Sequence, residues 1–65
     1  MNTLFQKDIY ELFLKYFGRS TAEAYVGLYA DKSEDFILLS ITELLTEYLG
    51  KEKAQEEIDK LKKYL

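Results

Sequence analysis

The run Phe36-Ile37-Leu38-Leu39-Ser40-Ile41-Thr42-Glu43-Leu44-Leu45-Thr46-Glu47-Tyr48-Leu49 is the most apolar stretch of the chain, and any fold has to cover it. At 100° per residue, Leu44, Ile37, Tyr48, Ile41, Leu45, Leu38 and Leu49 fall within an arc of roughly 140°. An arc that wide predicts a central helix with several neighbours. The run also holds Ser40-Ile41-Thr42-Glu43, a capping-box pattern that would start a new helix if the run broke there. With no glycine or proline inside it, and with hydroxyl side chains able to bond back to the previous turn, one continuous helix is favoured.

The flanking segments also read as helices. Thr3 and Gln6 form a capping box ahead of Phe5, Ile9, Leu12, Phe13, Tyr16 and Phe17, which recur at spacings of three and four, while Lys7, Asp8, Glu11 and Lys15 gather opposite. Tyr10 widens this face to about 160° and Leu14 lies beyond it, so the first helix offers more apolar surface than one neighbour covers. Gly18 stops it. Ser20-Thr21-Ala22-Glu23 then reads as a second cap, with Ala22, Tyr25, Val26, Leu28 and Tyr29 on the apolar side. Gly27 either weakens this helix or admits another backbone at close range.

The polar stretch from Asp31 to Asp35 reads as a connection, and Gly50 as the stop before a last helix with the stripe Ala54, Ile58, Leu61 and Leu65. Glu56 with Lys60, and Asp59 with Lys63, have the acid-before-base spacing of stabilising surface pairs. The expected fold is all-α: a compact, bundle-like single domain spanning 1–65. Its four helices run from Thr3 to Phe17, Ser20 to Ala30, Ser33 to Leu49 and Lys51 to Tyr64, joined by short turns. No repeat, low-complexity segment or internal linker is expected.

Composition bounds the chemistry. A chain of 65 residues lies near the size at which a lone core leaves little net stability, and without cysteine or histidine it has neither disulfide nor zinc site to staple it. The same absence removes the usual nucleophile and base, so the chain is read as non-catalytic, with no cofactor and no metal. Glu43 and Glu47 share a helix face, which reads as solvated acid. Gly18-Arg19-Ser20-Thr21 sits at a helix N-terminus, where backbone donors can bind an anion, but is fully explained as a stop followed by a cap. A formal charge of -3 disfavours nucleic acid as the partner. No apolar run is long enough to span a bilayer and no secretory signal is evident, so the cytoplasm is the default location.

Tyrosine is abundant, and its apolar body with a polar tip suits a binding surface. The expected partner is a protein, with Tyr10, Leu14, Tyr25, Tyr29, Phe36 and Leu39 as the contact residues; Tyr25 and Tyr29, one turn apart, also read as packing at the edge of the core. A symmetric homodimer through the first helix is a further expectation.

Ser20-Thr21 with Tyr25, then Ile41-Thr42 and Tyr48-Leu49, resembles the pattern of the amino-terminal, SAM-like DNA-clamping domain of tyrosine recombinases over about half of the chain. That resemblance implies a DNA-associated module using Arg19 and the basic residues of the last helix. The acidic balance departs from the family's basic DNA-facing surface, and the family's catalytic domain has no counterpart in these residues.

Overall fold

The computed structural model describes residues 3–64, and side chains from Leu4 to Tyr64. The expected Thr3 cap and the Leu65 end of the last stripe lie outside the described side chains. The fold is all-α: α1 (Thr3–Phe17), α2 (Arg19–Tyr29), α3 (Glu34–Leu49) and α4 (Lys51–Leu61) are followed by a single 3₁₀ turn (Lys62–Tyr64), with no strand among the described residues. None of these helices is long and apolar enough to cross a membrane.

The chain divides into two units, Met1–Ser33 and Glu34–Leu65. In the first, α1 packs on α2; in the second, α3 packs on α4. Each pair is joined by one glycine, Gly18 at φ 89° or Gly50 at φ 88°. Both take ψ near 170°, a region open essentially to glycine alone. Each serves two helices at once. The Gly18 N–H donates to the Leu14 carbonyl at 3.3 Å, and the Gly18 carbonyl accepts from Ala22 N–H at 3.0 Å; Gly50 repeats this with Thr46 and Ala54. No side-chain cap forms at either site, so the capping box expected at Ser20 is replaced by a backbone hinge and α2 starts one residue earlier, at Arg19.

The two units repeat one pattern, which corrects the expectation of no repeat. Gly18 and Gly50 stand 32 positions apart (50 minus 18), and the same offset pairs identical residues at Ile9 and Ile41, Glu11 and Glu43, Leu12 and Leu44, Tyr16 and Tyr48, and Ala22 and Ala54. Burial follows the same register: Phe5, Ile9, Phe13, Ala22 and Tyr29 in the first unit, Ile37, Ile41, Leu45, Ala54 and Leu61 in the second. The repeat is hard to see in the letters because most core positions keep an apolar side chain while exchanging aromatic for aliphatic, as at Phe13 and Leu45 or Tyr29 and Leu61.

The second unit holds the apolar run. α3 is continuous through Ser40, and Thr42 Oγ1 donates to the Leu38 carbonyl at 2.6 Å, which turns the would-be cap into a bond within the helix. Ile37, Leu38, Ile41 and Leu45 are buried, but Tyr48, expected in the core, is exposed: it lies within the apolar arc but in the last turn of α3, two residues before Gly50. On α4 the buried stripe of Ala54, Ile58 and Leu61 also contains Glu57, whose Oε1 lies 3.3 Å from Lys60 Nζ. Lys53 pairs with Glu56 on this helix, and Lys62 of the 3₁₀ turn with Asp59, each at a spacing of three in place of the expected spacing of four.

Candidate functional site

In the first unit the interior is aromatic. The Phe13 ring stacks on Tyr25 with centroids 4.7 Å apart and planes at 6°, and packs obliquely on Phe17 at 5.5 Å and Tyr29 at 6.3 Å. Tyr25 and Tyr29 are themselves 5.7 Å apart. Such offset stacks hold rings in place through their quadrupoles as well as by burial. Tyr29, expected as a contact residue, is only 2% exposed and belongs to this cluster, which withdraws it from the surface. Tyr25 and Tyr10 are both half-buried.

The other expected contact residues are at the surface: Leu14 is 42% exposed, Leu39 62%, and Phe36 is exposed by half. Leu4, Leu28 and Tyr48 join them. Leu4 falls among the charges of α1, outside the apolar arc, while Leu28, expected on the apolar side of α2, is exposed because it stands at the edge of that arc, beside Thr21 and Ala24. Gly27 has nothing within 4 Å of where a Cβ would stand, so no backbone approaches it.

Chemistry has little foothold. Among the described residues no group of acidic side chains converges as a metal site. Glu43 and Glu47 are exposed on α3. Arg19, at the start of α2, donates from Nε to Glu23 Oε2 at 3.1 Å, which occupies the cation of the candidate anion site. A shallow dimple between α1 and α2, lined by Gln6, Ile9, Val26 and Tyr29, encloses essentially no space for even a water molecule, whereas ordinary ligand pockets enclose several hundred cubic ångströms. One oxygen of Glu34, Oε2, is buried without a hydrogen-bond partner in the first turn of α3, where the helix dipole favours negative charge.

Asp59 has a displaced titration: its carboxyl is held below the usual aspartate value, first by the hydrogen bond from Gln55 Nε2 at 2.8 Å and then by Lys62. It lies on the exposed side of α4, so its displacement marks local order on that helix.

Fold and surface together define a small all-α protein with exposed apolar side chains on its helices and no built cavity of ligand size among those described. Compared with known proteins, the chain matches no family model, no curated protein and no solved structure.

Proposed function

We propose that this chain is a non-catalytic protein-interaction module that acts through exposed apolar side chains on its helices. The observation that supports this reading is the set Leu4, Leu14, Leu28, Phe36, Leu39 and Tyr48, all large and all well exposed. Lone apolar side chains on a surface are ordinary, but this many on so short a chain are more than solubility favours. Against a DNA-associated module stands the pairing of the bases: Arg19, Lys53, Lys60 and Lys62 each lie against a carboxylate, which leaves little net positive charge for phosphates. A second copy of the chain is one possible protein partner, with Leu14 and Tyr10 of α1 at the contact.

The test is capture from the source cells on the immobilised chain, in parallel with a Leu14→Ser, Leu28→Ser, Leu39→Ser variant whose helicity is verified by circular dichroism. The expected result is a defined protein retained by the parent chain and lost from the variant. Equal retention on both, or tight salt-sensitive binding of duplex DNA in a gel shift, would overturn the reading.

A further inference from the structure

The repeat supplies an internal reference for the outward face of α3. The outward stripe of α1 is Leu4, Lys7, Asp8, Glu11 and Lys15; at the 32-residue offset the stripe of α3 is Phe36, Leu39, Ser40, Glu43 and Glu47. Exposure matches position by position, with Asp8 and Ser40 half-buried and the other four exposed in each unit. The chemistry does not match. α1 balances two bases against two acids, as a solvated helix face does, whereas α3 has leucine where α1 has Lys7 and glutamate where α1 has Lys15. Over its whole length α3 carries four carboxylates and no base.

We infer that the outward face of α3 docks a basic amphipathic helix of a partner protein. Phe36 and Leu39 lie one turn apart and receive its apolar side chains, while Glu43 and Glu47, one and two turns further along, meet its lysines or arginines. The stripe from Phe36 to Glu47 is about 16 Å long at 1.5 Å per residue, enough for about three turns of a partner helix. The occupant follows from charge: a second copy of α3 laid parallel on this face opposes carboxylate to carboxylate, and laid antiparallel sets Glu43 and Glu47 against Leu39 and Phe36, whereas a basic amphipathic helix meets the apolar end with apolar side chains and the acidic end with bases. This deepens the protein-binding reading and rests on it.

The experiment is a titration of the isotopically labelled full chain, followed by amide NMR, with a synthetic leucine–lysine–alanine peptide of about 14 residues, close to four helical turns. A peptide with glutamate in place of lysine is the control. The expected result is a set of shifts concentrated from Phe36 to Glu47, absent with the control peptide and weakened at least about tenfold in Glu43→Lys, Glu47→Lys or in Leu39→Ser. Shifts spread equally over Lys7, Glu11 and Lys15, or undiminished affinity in the charge-reversed variant, would overturn the inference. A protein captured from cells equally well by the parent and by Glu43→Lys, Glu47→Lys would overturn it too, while leaving the broader protein-binding reading in place.

Discussion

The three glycines do different work, and substitution by alanine separates them. Gly18 and Gly50 hold φ near +90°, where a Cβ is strained whatever the space around it, so Gly18→Ala and Gly50→Ala each cost on the order of 1–3 kcal/mol. Gly27 lies inside α2 with open space around it, so Gly27→Ala stabilises by about 0.5–1 kcal/mol through helix propensity. Thermal or urea unfolding of the three variants measures this. Tyr25 gives a second residue-scale expectation: Tyr25→Leu keeps a large apolar side chain but loses the stack on Phe13, at a cost of about 1 kcal/mol. The glycine stops were legible in the sequence because glycine has one dominant reason to sit between two apolar-periodic runs. Glu57 was not, because a charged residue inside an apolar stripe reads as a surface position until its neighbours are placed around it.

For single helices, periodicity marked where each lies more reliably than how it begins or which side chains it shows. α1 and α3 were legible almost to the residue, since their apolar arcs are long and end in glycine. The start of α2 was misjudged because Ser20 and Thr21 have the composition of a cap, while the backbone of Gly18 had already turned the chain. α4 yields a pH prediction. Its Asp59 has a folded-state pKa depressed below the ordinary aspartate value of about 3.9, so its contribution to stability is fully present above that value and is lost as pH falls through the folded pKa. Gln55→Ala removes the largest cause, and the Asp59 carboxyl followed by NMR then titrates at higher pH than in the parent chain. Ala22 and Ala54 occupy equivalent buried places one turn beyond the hinges, so Ala22→Leu and Ala54→Leu overpack their helix pairs by similar amounts, about 1–3 kcal/mol each in denaturant unfolding.

At the scale of the molecule, the sequence showed an all-α chain of four helices but not its repeat. The repeat is carried by burial, hinge geometry and side-chain class, with identity kept at only a few positions such as Ile9 and Ile41 or Ala22 and Ala54. The proposed surface was legible in part: Leu14, Phe36 and Leu39 follow from angles on a helix, while Tyr29 was lost to the aromatic cluster. If the chain's own copy is a partner through Leu14 and Tyr10, sedimentation equilibrium gives a mass rising above 7.7 kDa with concentration; a constant mass up to about 1 mM rules that contact out. The central claim is the repeated helix–glycine–helix architecture, and backbone NMR of the full chain tests it most directly. The account predicts helical carbon shifts from Leu4 to Phe17 and without interruption from Glu34 to Leu49, with single-residue breaks of positive φ at Gly18 and Gly50. A break at Ser40, or helical φ at either glycine, would contradict it.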